Sequence, residues 1–149
     1  MKQKISQKSD LNGKGIKVAI VMSEFNKEIC EKLLEEAKHE LDNLKVKNPK
    51  IVYVPGALEI PVATQKLIKN NEFDVIIALG VVIKGETDHY EHVSRESTHA
   101  LTQIAVQTGV PVIQGILTVP NKELALARAF RGKEYARAAI QMVHTLKNL

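Results

Sequence analysis

Residues 74–82, DVIIALGVV, are a nearly unbroken run of aliphatic and β-branched side chains. A stretch of that length without polar alternation fits a strand buried on both faces, which parallel sheets sandwiched between helices supply. The run passes into V-I-K-G-E-T-D-H-Y-E, from Val82 to Glu91. Gly85 permits a tight turn, and the residues after it open a helix. Backbone N–H groups and the Thr87 hydroxyl at that start favour an anion. His89 follows in the first turn, where a neutral imidazole can move protons around a phosphorylated or carboxylated substrate.

Other segments repeat the alternation of strand and helix, which predicts an α/β fold. Lys17 to Ser23 (KVAIVMS) reads as the first buried strand. Asn26 is placed to cap the next helix, whose apolar face carries Ile29, Leu33, Ala37, Leu41 and Leu44. A short strand spans Lys50 to Val54, the turn Val54-Pro55-Gly56 ends it, and Pro61 suits a first helical turn. A long helix from about Asp88 to Thr108 is expected to bury Val93, Ala100, Leu101 and Ile104, with Gly109-Val110-Pro111 as its stop. Val112 to Val119 is the last strand. Two helices close the chain, Lys122 to about Phe130, capped by Asn121, and Lys133 to Leu146, divided near Gly132. Four parallel strands and five helices give a single-domain, flavodoxin-like three-layer sandwich over residues 1–149, with ligands expected beyond the carboxyl ends of the strands. At that edge Ser23 to Asn26, Pro55 to Glu59 and Val81 to His89 should converge on one crevice.

Composition excludes several classes of function. The chain has 149 residues, enough for one domain that buries roughly 70% of its unfolded surface. The net charge is +4, yet aromatics are only 4% and no nucleic-acid-binding motif appears, so small anions fit better than nucleic acid. Lys2, Lys4, Lys8 and Lys14 concentrate part of that charge in residues 1–15, read as an N-terminal arm. No signal peptide or membrane-spanning run is seen, which makes the cytoplasm the default location. Cys30, the lone cysteine, cannot form an internal disulfide and reads as a small helix residue rather than a nucleophile.

Individual side chains allow bland readings beside functional ones. Taken alone, Phe25 reads first as a residue packing before its helix; its position at a strand's carboxyl end raises the alternative of a ring stacked on a flat ligand. Glu59 could simply favour a helix start, but it falls on the same edge. His89, His92, Glu96 and His99 share one helical face. Glu96 lies seven residues beyond His89, about 10 Å along the axis, too far for both to ligate one ion. No metal site is therefore assigned, and His92, His99 and His144 read as interface or solvated residues. Arg128 is a candidate counter-charge for a phosphate at Gly85-Glu86-Thr87, provided that Glu86 points away.

Taken together, S-E-F-N at Ser23, V-P-G-A-L-E-I-P at Val54, A-L-G-V-V-I-K-G-E-T-D-H-Y at Ala78, G-V-P-V-I-Q-G-I-L-T at Gly109 and the A-R-A centred on Arg128 resemble the 6,7-dimethyl-8-ribityllumazine synthase family of riboflavin biosynthesis. The likeness runs from about Lys17 to the end. It implies condensation of 5-amino-6-(D-ribitylamino)uracil with L-3,4-dihydroxy-2-butanone 4-phosphate, with loss of phosphate and water and with no metal or organic cofactor. By resemblance, Phe25 stacks on the pyrimidine. Ala57, Leu58 and Glu59 meet the ribityl chain, and Val81, Val82 and Ile83 bind the uracil through backbone groups. Glu86, Thr87 and Arg128 surround the phosphate, and His89 transfers protons. The family's assemblies imply a homo-oligomer, a pentamer or an assembly of pentamers, with Gln114 and Arg128 serving the neighbour's site and riboflavin synthase as a partner.

The chain departs from the common pattern at several points. Glu24 replaces a frequent arginine, Lys84 another, and Tyr90 a frequent phenylalanine. Gln114 stands where many members place a phenylalanine, which makes that contact polar. The segment from Phe130 to Lys133 is about two residues short, which leaves Lys133 without an assigned role. Two other classes share the fold: a non-catalytic flavin or lumazine carrier, and a shell protein whose main task is encapsulation. The joint presence of Thr87, His89 and Arg128 favours the enzyme.

Overall fold

The computed structural model describes residues 11–70, 72–85 and 89–149. Glu86 and Thr87, both expected at a phosphate, and most of the N-terminal arm lie outside the described residues. Strands β1 (Val18–Ser23), β2 (Lys50–Val54), β3 (Val75–Ile83) and β4 (Val112–Val119) form one all-parallel sheet in the order β2-β1-β3-β4. Helices α1 (Lys27–Asn43), α2 (Ile60–Lys69), α3 (His89–Thr108), α4 (Lys122–Ala127) and α5 (Arg131–Lys147) cover its two faces, and a short 3-10 helix at Ala57–Glu59 precedes α2. The expected α/β sandwich with four parallel strands is what forms. Among the described residues, no helix is long and apolar enough to cross a membrane.

Strand alternation divides the core into two layers. Val18, Ile20 and Met22 of β1 and Val75, Ile77 and Leu79 of β3 face α1, α4 and α5. Ala19 and Val21 of β1 and Ile76 and Ala78 of β3 point the other way, against α2 and α3. With both faces filled, the two strands are apolar except for Ser23, buried at the end of β1, which is why their sequences read as nearly continuous apolar runs. Ile77 is fully buried, and truncating such a residue to alanine typically costs about 2–5 kcal/mol.

Local details depart from expectation in three places. Asn26 occupies the N-cap position of α1 but makes no capping hydrogen bond; its backbone is left-handed and its amide is used elsewhere. Asn121, by contrast, caps α4 as expected, accepting from the Leu124 N–H at 2.9 Å. Within α3 the fully covered small residue is Ser97, whose hydroxyl donates to the Val93 carbonyl at 2.6 Å, while Ala100 is only half-buried. The last two helices divide at residues 128–130, and Gly132 lies inside α5.

Gly132 is in the helix for a tertiary reason. A Cβ built there would collide with the Leu33 carbonyl oxygen of α1. Glycine thus lets the backbones of two helices touch, which outweighs its poor helix propensity. Two turns further along α1, Glu40, only 4% exposed, faces Lys133 Nζ at 3.6 Å and Arg137 at 3.7 Å with its carboxylate. A buried carboxylate needs such partners.

Candidate active site

The chain reverses its winding direction between β1 and β3, since β2 lies on one side of β1 and β3 on the other. A crevice opens at the carboxyl ends of strands where winding reverses. Here it is a cleft of about 550 Å3. Phe25, from the turn after β1, forms one wall, and the residue is 71% exposed. That exposure is incompatible with the bland reading of a packed staple residue. Ala57, Leu58 and Glu59 enter from the 3-10 helix, Val81, Val82 and Ile83 from the tip of β3, and His89 from the first turn of α3. Eight residues singled out in the sequence therefore share one cleft.

Backbone hydrogen bonds explain the placement. The Glu24 N–H donates to the Val54 carbonyl at 2.8 Å and the Phe25 N–H to the Pro55 carbonyl at 3.2 Å, so the turns after β1 and β2 are laced together. Below them, the Cys30 thiol donates to the Phe25 carbonyl at 3.4 Å. Burial pushes that thiol up to about 11, with the Glu31 charge adding to the effect and hydrogen bonds from Ser23 and the Val81 backbone offsetting part of it. It stays protonated and serves as a donor, in keeping with a small helix residue rather than a nucleophile.

Chemically the cleft has an apolar floor with a few polar groups. Among the described lining residues, the titratable side chains are Glu59, His89 and Tyr90. The Glu59 carboxylate turns back towards Gly56, where an added Cβ would lie 3.6 Å from it. From that place it can accept hydrogen bonds from ligand hydroxyls. Such a surface suits a flat, partly apolar ligand with a hydroxylated tail. Tyr90 and Val93 also line the cleft. Val93 lies four residues from His89 and three from Tyr90, spacings that could have announced its place beside each of them on the helix.

Gln114 and Arg128 are not among the residues lining this cleft. The Gln114 amide donates to Thr98 Oγ1 at 2.5 Å, which ties edge strand β4 to α3 beside a more open groove of about 650 Å3 lined by Arg95, Thr98 and His99. That groove is larger but lies off the switch point, and its hydroxyl pair Ser94 and Thr118, 2.9 Å apart, already satisfies itself. Arg128 ends α4, with its N–H bonded to the Leu124 and Ala125 carbonyls. Lys133 faces Glu40. His92, Glu96 and His99 are exposed on α3, and among the described residues no three His, Cys, Asp or Glu side chains are grouped to hold a metal ion.

A sequence profile described as 6,7-dimethyl-8-ribityllumazine synthase matches residues 15–147. A protein of Azoarcus sp. (strain BH72), named 6,7-dimethyl-8-ribityllumazine synthase, is 49% identical over 95% of this chain and 92% of its own. Proteins of the same name from Nitrosospira multiformis and Cupriavidus necator are 45% and 43% identical, over 94% and 95% of this chain and 89% and 87% of theirs. Among solved structures, a GDP-L-fucose synthetase from Naegleria fowleri aligns with 89% of this chain and 48% of its own, at a TM-score of 0.41 and 13% identity.

Proposed function

The chain belongs to the 6,7-dimethyl-8-ribityllumazine synthase family, and we propose that its cleft condenses 5-amino-6-(D-ribitylamino)uracil with L-3,4-dihydroxy-2-butanone 4-phosphate. The observation that carries this reading is the meeting of Phe25, Glu59, the β3 tip and His89 in one cleft at the switch point. The exposed Phe25 ring offers a face for the pyrimidine. Backbone groups of Val81 to Ile83 meet its polar edge, and the Ala57 to Glu59 segment receives the ribityl hydroxyls. The uracil 5-amine attacks the ketone and expels water to form a Schiff base; proton loss and departure of phosphate leave an enol that becomes a ketone, and the ribitylamino nitrogen closes the ring on that carbonyl with loss of a second water. His89 carries protons between these steps. Holding two reactants side by side accounts for much of the rate, because it removes the entropic cost of bringing them together.

We assign phosphate binding to Glu86, Thr87 and Arg128. Among the described lining residues of the cleft there is no lysine or arginine, so the cation has to come from elsewhere. We assign it to the Arg128 of a second copy, with Gln114 reaching the same neighbouring site. Both residues lie off the cleft of their own subunit, as a shared site requires. A ring, a pentamer or an assembly of pentamers, presents each subunit's two half-sites to different neighbours. Riboflavin synthase is the proposed downstream partner, the cytoplasm the proposed location, and residues 1–149 one domain with an N-terminal arm.

The test is optical. Purified protein given both substrates, with and without a chelator, should produce the fluorescent lumazine at the same rate. Absence of product, while a relative from the same family turns over in parallel, would remove the assignment; dependence on a divalent ion would overturn the metal-free mechanism.

A further inference from the structure

Strand β3 outruns β1. Their register ends with Met22 beside Leu79, whereas β3 continues to Ile83 against β4 alone. On the β1 side of residues 80–83 the ladder has lost its strand partner, and a shielded carbonyl left unmatched costs about 1–3 kcal/mol. At Val81 a side chain fills the place: Asn26 Nδ2 donates to the Val81 carbonyl at 3.0 Å. Asn26 reaches it from a left-handed backbone, φ 58° and ψ 45°, a conformation asparagine adopts more readily than most residues. The residue before it is Phe25, whose N–H is held by the Pro55 carbonyl and whose carbonyl accepts from Cys30. Two consecutive residues thus join the aromatic wall, the turn after β2 and the tip of β3.

We infer that Asn26 is a positioning residue for the pyrimidine substrate, its amide setting the spacing between the Phe25 ring and the β3 backbone. The inference rests on the reading of this cleft as the pyrimidine pocket. Asn26 itself is not among the residues lining the cleft; it acts through Val81 and Phe25. A stacked heterocycle has its plane fixed by the ring, so its edge meets the β3 backbone only if the two walls are correctly spaced. Hydrogen bonds weaken steeply with poor alignment, and a displacement of about half an ångström matters at such a site. The butanone phosphate, which needs neither the ring nor the β3 edge, should be far less sensitive.

Two variants separate the amide from the backbone. Asn26→Gly keeps the left-handed conformation and removes the donor; Asn26→Asp keeps the shape and turns an acceptor towards the Val81 carbonyl. Each is compared with the parent protein for lumazine affinity by fluorescence, for KM of each substrate, and for melting temperature and assembly mass. Both variants should raise the lumazine Kd and the KM for the ribitylaminouracil about tenfold, with the KM for the butanone phosphate within about twofold. Phe25→Ala serves as the reference for the pocket. Should Asn26→Asp fail to fold, Asn26→Gly carries the test, since glycine accepts the same φ. Parent-like lumazine affinity in the variants that fold, or equal loss for both substrates, overturns the assignment of Asn26 and leaves the pocket reading standing. If Phe25→Ala also binds lumazine like the parent, the pocket reading fails and the inference falls with it.

Discussion

Gly132 of α5 lies so close to the Leu33 carbonyl of α1 that no methyl group can stand between them. The contact is between two backbones, and neither can swing aside as a long side chain would. It fixes α5 beside α1 on the same face of the sheet, two turns along α1 from the ion pairs of Glu40.

Replacing that glycine should therefore destabilise the protein despite the better helix propensity of alanine. Gly132→Ala is expected to cost about 3 kcal/mol and lower the melting temperature by roughly 6–12 °C, compared at equal protein concentration. An unchanged or higher melting temperature would mean that the two helices are free to separate.

A second expectation concerns alkaline pH. The ordinary thiol value is 9.0, while burial holds folded Cys30 up to about 11. As pH rises past 9 the unfolded chain ionises first, so the contribution of Cys30 is fully present below about 9 and is lost between about 9 and 11, approaching about 3 kcal/mol. Urea unfolding of the parent and Cys30→Ala across this range should give curves that converge as pH rises. Curves that stay parallel would show that the thiol titrates alike in both states.

His89→Ala should lower turnover by about ten- to a thousandfold at saturating substrate, leaving considerable residual rate because the reactants are still held together. Steady-state kinetics with both substrates saturating is the measurement. Turnover equal to the parent would remove His89 from the chemistry.

Sites shared between copies can be tested by mixing. His89→Ala and Arg128→Glu subunits, each nearly inactive alone, should regain activity when reassembled together, because about a quarter of the interfaces then combine two intact halves. Native mass spectrometry verifies the mixed rings. If such rings are no more active than the separate variants, while parent subunits survive the same reassembly, Arg128 does not serve a neighbour.

What the sequence disclosed, and what it hid, follows from the range of the forces involved. β1 and β3 were legible because burial on both faces leaves an unbroken apolar signature, and Asn121 because a cap is a contact only three residues long. The three edge segments of the cleft followed from the fold class alone. Asn26 was misread as a cap because its partner, Val81, is 55 positions away, and local pattern carries no trace of such a pair. Gly132 was misread as a break for the same reason: the carbonyl it accommodates belongs to another helix. Ala100 was expected to be buried from helical spacing, but Ser97 holds that place by returning its hydroxyl to its own helix. The 3-10 helix at Ala57–Glu59 went unread, since one tight turn leaves no periodicity.

The two walls of the cleft differ in how freely they can evolve. Val81, Val82, Ala57 and Val93 belong to the packed layers of the sheet, so their side chains answer to the core before they answer to any ligand. Phe25 stands largely in solvent and Leu58 is partly exposed, and substitutions there should disturb little beyond the cleft. Selection for a different ligand could thus rewrite one wall quickly and the other hardly at all. A wall whose side chains are already committed can still recognise a ligand through its peptide groups, which nearly every substitution leaves in place.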